Sequence, residues 1–454
     1  MNEIASAVPA ESNTLSRSLR PRHVTMIAIG GIVGAGLFVG SSAAIAAAGP
    51  AILVTYALTG FLVLLIMRML GEMAIDMPHI RSFTEFARAG LGNWAGFSVG
   101  WLYWYFWVIV IPVEAIAGAV IIEGWVHLPT WQIGVALMAV MTAVNLMSAR
   151  AYGEFEFWFS SIKVTAIVAF ILVAAGHAFG IISSDAPKFS NLFAHGGFAP
   201  RGWLATLAGV TTVIFSMMGA EIVTIAAVES AEPARAVARM TSSVIGRILV
   251  FYVGSILMVL CIVPWNVVVP GQSPFTLALD TMQIPFASTI MAWIILTAVL
   301  SCLNSAFYVC SRVLFVLAAH GDAPRWLVKT NARQVPARSV WLASVAGFAG
   351  VIAAVLSPSG VFAFLLNASG ALIIYIYLAI AVSQVRVRRQ GERDGRPPSI
   401  LPMWLFPWLS YFAIAGMLAV LVAMAITPSH LLEFWTSAGS VAAALAAYVF
   451  VKRR

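Results

Sequence analysis

Four features of this sequence are costly where they stand. Glu221 closes the stretch Phe215-Ser216-Met217-Met218-Gly219-Ala220-Glu221, in which a glycine and a carboxylate interrupt an apolar run. Lys163 is an amine about nine residues beyond Glu154, roughly 13 Å along a helix. Glu114 follows Pro112 inside another apolar run. Upstream, Ile29-Gly30-Gly31-Ile32-Val33-Gly34-Ala35-Gly36-Leu37-Phe38-Val39-Gly40 holds five glycines in eleven residues, each costing a helix about 1 kcal/mol against Ala. Ionisable groups at membrane depth pair with charges or carry protons. Freed backbone can hold an anion on its N–H groups and a cation on its carbonyls. Plainer readings stay open beside these. Gly30 with Gly34, and Gly36 with Gly40, have the spacing of close helix packing. Glu221 can be protonated and bonded to a neighbouring helix, and Lys163 can snorkel toward an interface.

Apolar helices must position these groups. The chain has 454 residues, 61% hydrophobic and 10% charged. A soluble domain carries about 25% charged residues, so much of this surface must face lipid. A membrane helix needs roughly 20 apolar residues. That length predicts twelve spans, at 24–47, 50–72, 96–124, 131–149, 156–180, 203–228, 244–268, 285–317, 338–356, 359–384, 402–426 and 431–451. The fold class expected is an all-α membrane protein.

Net charge is +8. The basic residues cluster in alternate short loops, so they read as topology signals rather than a nucleic-acid surface. Arg17, Arg20 and Arg22, then Arg81 and Arg88, Arg235 and Arg239, Arg325 to Arg338, Arg386 to Arg396 and Lys452 to Arg454 fall on one side, with only Lys188 and Arg201 on the other. Both termini are therefore expected in the cytoplasm. Lys163 reads as the one basic residue inside a span. Cys261, Cys302 and Cys310 have neither disulfide nor metal spacing. No nucleotide loop or nucleophile–base motif occurs. No enzyme activity, metal, cofactor or cleavable leader is expected.

The two breaks fall in spans one and six, corresponding places in two five-span halves. Paired interrupted helices point to an inverted-repeat carrier with its site near the midplane. Unwound backbone at that depth is tolerated only when buried in protein or lining a cavity. Its two poles suit a small zwitterion.

The stretch Gly30-Gly31-Ile32-Val33-Gly34-Ala35-Gly36-Leu37-Phe38, preceded by Arg22-His23-Val24-Thr25-Met26, resembles the amino acid–polyamine–organocation permeases, in their amino-acid transporter branch. Ala47-Ala48-Gly49-Pro50 and Arg68-Met69-Leu70-Gly71-Glu72-Met73 continue the likeness. Gly100-Trp101-Leu102-Tyr103-Trp104, Val110-Ile111-Pro112-Val113-Glu114-Ala115, Tyr152-Gly153-Glu154-Phe155-Glu156-Phe157-Trp158, Met218 to Ala227 and Ser301-Cys302-Leu303-Asn304-Ser305-Ala306 are similar to the bacterial 4-aminobutyrate (GABA) permeases of that branch.

The resemblance implies a cytoplasmic segment 1–22 and a ten-helix core over 23–384, with repeats near 23–180 and 203–384. A basic loop at 385–401 and two further helices in 402–454 follow. It implies alternating access and proton-driven uptake across the bacterial inner membrane. Gly34, Ala35 and Gly36 would hold a substrate carboxylate. Phe215 would be an aromatic gate, with Ser216, Met218 and Gly219 beside the substrate. Glu221 would handle substrate or proton, and Lys163 would replace a sodium ion and carry the proton.

Glu114 is expected near the outer end of span three; facing the cavity, it would meet the ammonium of a γ-amino acid. Tyr103, Trp104, Tyr105 and Trp107 are expected to pack. Glu229 and Glu232 with Arg235 and Arg239 are expected to pair on the cytoplasmic side. The partners expected are a small zwitterionic amino acid, protons and lipid, with no nucleic acid or obligate protein. The rival readings are a permease for α-amino acids and a nutrient sensor on a transporter fold.

Overall fold

The computed structural model describes residues 26, 33–78, 80, 82–147, 149–182, 189–219, 221–222, 246, 248–353, 355 and 358–452. Gly30, Gly31, Arg17 to Arg22 and the group Glu229, Glu232, Arg235 and Arg239 lie outside these residues. The described chain is helical throughout, without a strand. Among the described residues, seven helices are long and apolar enough to cross a membrane, and four shorter apolar helices accompany them.

In chain order the elements used below are α1 (Ser41–Ala48), α2 (Ile52–Asp76), α3 (Phe83–Leu91), α4 (Asn93–Glu123), α5 (Thr130–Asn145), α6 (Ala149–Ala178), α7 (Gly202–Ala208), α8 (Val210–Ser216), α9 (Ser255–Ile262), α10 (Pro274–Thr281), α11 (Ala287–Ala319), α12 (Ala337–Ala353), α13 (Pro358–Arg393), α14 (Trp408–Ile426) and α15 (Leu431–Lys452). A π-helical turn, Gly36–Gly40, leads into α1. Gly49 then reverses the chain at φ +67°, a backbone conformation that a Cβ penalises. Pro50 follows inside a 3-10 turn, and α2 departs from it.

Side chains large and apolar are found on the outside as well as the inside. Trp158, Leu172, Val345 and Trp435 are more than half exposed, a surface that water would not tolerate in bulk but hydrocarbon does. Within, α4 and α11 pack along most of their length, with α13 against α4, α6 against α11, and α8 against α13. Close approach requires small residues. A Cβ on Gly370 of α13 would stand 2.0 Å from the carbonyl oxygen of Thr211 in α8. Pro112 withholds a backbone donor from α4 yet leaves the helix unbroken. Its ring is accommodated by Gly350 of α12, whose Cβ would come within 2.6 Å.

Two expectations change. The segment after 384 is not a loop at first: α13 continues through Arg393, because the Arg, Gln and Glu around the single Gly391 favour helix, and the chain turns only at Asp394-Gly395. Lys163 is also not the one basic side chain within a long helix. Arg312 of α11 is 3% exposed and lies 4.0 Å over the Tyr308 ring. Glu72 of α2 ties α13 and the segment before α14 to the core. Its carboxylate accepts from Arg388 at 3.0 Å, Gln384 at 2.7 Å and the Met403 N–H at 3.0 Å.

Candidate substrate and proton site

Backbone is unwound in both places the glycines predict. Val33 and Gly34 are non-helical, and Gly34 passes so close to α4 and α11 that a Cβ would lie 2.8 Å from Cys302 and 2.9 Å from Glu114. In the sixth run, α8 ends at Ser216 and turns occupy Met217 to Gly219. Gly219 has φ +109°, which explains a glycine there. The two breaks meet: a Cβ on Gly36 would be 2.7 Å from the Ser216 Cα.

Each break is capped by a buried carboxylate. Glu114 accepts from the Ala35 N–H at 3.1 and 3.3 Å. Glu221 accepts from the Gly219 N–H at 3.3 Å through both oxygens. It also accepts from the Tyr103 hydroxyl at 3.0 Å and the Tyr377 hydroxyl at 3.0 Å. These contacts answer the cost of burying a carboxylate, since charge-assisted bonds from fixed donors replace water. Glu114 is 1% exposed, so it lacks the solvated setting expected of a place near the outer end of its helix. The Ala35 N–H, left without a helical partner just after the non-helical Val33 and Gly34, needs an acceptor, and Glu114 supplies it.

Between the breaks lies a small cavity bordered by Gly34, Gly36, Phe106, Trp107, Val110, Glu114, Phe215, Ser216, Met218 and Cys302. Its free volume is about 10 Å³, room for about one water. Phe215 packs against Phe106 at 6.2 Å between ring centres. The Ser216 hydroxyl is spent inside α8 on the Val213 carbonyl at 2.7 Å, and its own carbonyl accepts from Tyr252. Met218 accepts at sulfur from Tyr377 at 3.3 Å. The structure thus gathers Gly34, Gly36, Glu114, Phe215, Ser216 and Met218 at one cavity. Ala35, Gly219, Glu221 and Lys163 are not among its described lining residues.

Lys163 is fully buried and does not snorkel. Its Nζ donates to the Val33 carbonyl at 3.0 Å and to Ser301 Oγ at 2.9 Å. Glu156 Oε1 is 3.8 Å away. The ammonium therefore sits on a carbonyl freed by the first break, as a bound metal ion would.

Sequence reasoning assigned no role to Glu156, Tyr377 or Cys302, and it placed Tyr103 and Trp107 among packing residues. Trp104 does pack, edge-on to Trp101 at 5.5 Å, while Tyr105 is 41% exposed. A signal for Glu156 was present. Glu156, Ser160 and Lys163 stand at i, i+4 and i+7, one face of a helix. Nothing local marks Tyr377, which is more than 150 residues from Glu221.

The sequence profile of the amino acid permeases matches residues 23–452. The chain belongs to the amino acid permease family. This permease is 47% identical to a probable GABA permease of Pseudomonas aeruginosa over 96% of its own length and 92% of the relative's. It is 45% identical to the gamma-aminobutyric acid permease of Bacillus subtilis, over 97% and 94%. It is 37% identical to an aromatic amino acid transport protein of Corynebacterium glutamicum, over 93% of each. A manganese transporter of Eremococcus coleocola shares its fold, with TM-score 0.60 at 13% identity, covering 95% of this chain and 93% of that one. The permease is a multi-pass membrane protein, and its relatives are transporters rather than enzymes.

Proposed function

We propose that this permease carries 4-aminobutyrate, or a close analogue, inward together with protons by alternating access. It would sit in the bacterial inner membrane with both termini in the cytoplasm. Twelve spans, ten of them in two inverted repeats, complete the reading. Support comes from the two unwound segments capped by Glu114 and Glu221, with one small cavity between the segments, and from relatives named as GABA permeases at 44–47% identity.

In this mechanism the substrate carboxylate takes the Ala35 N–H from Glu114, with Gly34 and Gly36 leaving room for its approach. The released Glu114 carboxylate then receives the substrate ammonium. A γ-amino acid suits this exchange because its two charges are far enough apart to meet the N–H and the carboxylate separately. Glu221, Phe215, Ser216, Met218 and Gly219 form the opposite wall and its support. The cavity must widen to admit the ligand, so Phe215 and the Met217 to Gly219 turn shift between states. Lys163 carries the coupled proton and holds the Val33 carbonyl when charged.

The second reading is a permease for α-amino acids, favoured by the aromatic amino acid transport proteins at 36–37% identity. Uptake of labelled GABA into proteoliposomes, with and without an inward proton gradient, separates the two. β-Alanine, phenylalanine, proline and lysine serve as competitors. Gradient-driven GABA uptake resisted only by β-alanine supports the first reading. Transport of phenylalanine or proline without GABA uptake establishes the second.

A further inference from the structure

Two of the hydrogen-bond partners of Lys163 differ in kind. The Val33 carbonyl can only hold the proton on the amine, but the Ser301 hydroxyl can pass one on. Ser301 Oγ accepts from Lys163 at 2.9 Å and donates to Glu156 at 2.7 and 2.8 Å. Glu156 is held by a second hydroxyl, Ser160, at 3.0 Å. Lys163, Ser301, Ser160 and Glu156 are all completely buried. A structural ion pair needs no hydroxyl between its members, and here the direct nitrogen–oxygen distance is 3.8 Å.

We propose that Ser301 and Glu156 form the release path for the proton carried by Lys163. This rests on the proton-coupled reading above. The Lys163 N–H bond breaks as its proton passes to Ser301 Oγ, and the proton already on Ser301 passes to Glu156. The products are a neutral amine, an intact hydroxyl and a carboxylic acid. Charge is conserved, since one cation and one anion neutralise each other. Losing its charge weakens its hold on the Val33 carbonyl, which loosens the first break at the moment the substrate must leave. Glu156 lies about two helical turns nearer the start of α6 than Lys163, the cytoplasmic end in the orientation proposed. It then gives its proton to water entering from that side. Polar groups continue along the α6–α11 seam in that direction. Tyr152 and Ser305 are bonded at 3.0 Å, and Tyr152 stacks on Tyr308 at 4.1 Å beneath Arg312.

The titratable and charged groups facing the relay are Glu114 of α4, Cys302 and Arg312 of α11, and Tyr152 of α6. The relay is tested with the full chain in proteoliposomes, using labelled GABA and an internal pH dye. The readout is the ratio of gradient-driven uptake to gradient-free exchange, together with its dependence on internal pH. Exchange moves no net proton, so it also reports that a variant is folded. Ser301→Ala is expected to lower the ratio about tenfold or more, and Ser301→Thr, which restores the hydroxyl, to recover it. Glu156→Gln should lower it as far and remove the dependence on internal pH, with Glu156→Asp recovering part. A coupled wild type whose Ser301→Ala and Glu156→Gln variants keep their ratio overturns the relay alone. A wild type indifferent to the proton gradient overturns the coupling itself and the relay with it.

Discussion

The Glu114 carboxylate lies 3.1 Å from the backbone nitrogen of Ala35. Helix α4 thus places a carboxyl group on the N–H that we propose as a contact for the substrate. The competition between that side chain and an incoming carboxylate makes the first prediction. Glu114→Gln keeps an acceptor for Ala35 but has no charge for an ammonium, so GABA affinity should fall about tenfold or more. Competition curves on reconstituted protein measure it. Unchanged affinity and unchanged preference over α-amino acids would remove Glu114 from the substrate site.

Lys163→Met removes a buried charge and leaves Glu156 without its cation. Breaking one side of a buried ion pair costs about 3–5 kcal/mol, so the variant should unfold at lower temperature in detergent. The double variant Lys163→Met with Glu156→Gln should recover part of that loss, because no lone carboxylate remains. Thermal melts of the wild type, the two single variants and the double variant form the cycle.

Tyr103 and Tyr377 both donate to Glu221, from helices α4 and α13. Hydrogen bonds to charged groups contribute about 1.5–3 kcal/mol each. Tyr103→Phe and Tyr377→Phe should each reduce transport about tenfold or more, and the double variant less than the product of the two, since they share one acceptor. Strict multiplicativity in uptake rates would show that the hydroxyls act separately.

Gly36→Ala should abolish uptake without preventing membrane insertion. Its Cβ would stand 2.7 Å from a Ser216 main-chain atom, where no side chain can move aside. Gly439→Ala in α15 meets nothing within 4 Å and should transport as the wild type does. Uptake normalised to protein recovered from membranes compares the two.

Arg388 and Glu72 join α13 to α2 at 3.0 Å, with Arg388 also 4.2 Å over the Phe406 ring. Arg388→Ala leaves a buried carboxylate with Gln384 and the Met403 N–H alone. A loss of about 1–3 kcal/mol is expected, visible as a lower melting temperature, and Glu72→Gln in the same chain should offset part of it.

Sequence alone determined that this chain spans a membrane, that its helices break at two glycine-bearing places, and that Lys163 and Glu221 are ionisable groups set within apolar runs. The reason is local. Apolar runs of helix length fix the solvent, and glycine or charge in such a run carries a penalty readable from the residues themselves. The likeness to amino-acid permeases also lay in contiguous motifs. Only the tertiary structure decided partners. Glu114 looked like an outer-rim residue because sequence gives depth along a helix but not what lies beside it; the Ala35 N–H came from another segment. Tyr103 looked like packing because one donor on an aromatic face says nothing of an acceptor 118 residues away. Glu156 had a local signature, spaced with Lys163 on one face, yet its link to the amine runs through Ser301 of α11. Hydrogen bonds between helices depend on which faces pack, and packing is set by small residues such as Gly36 and Gly370 meeting backbone they never neighbour in sequence.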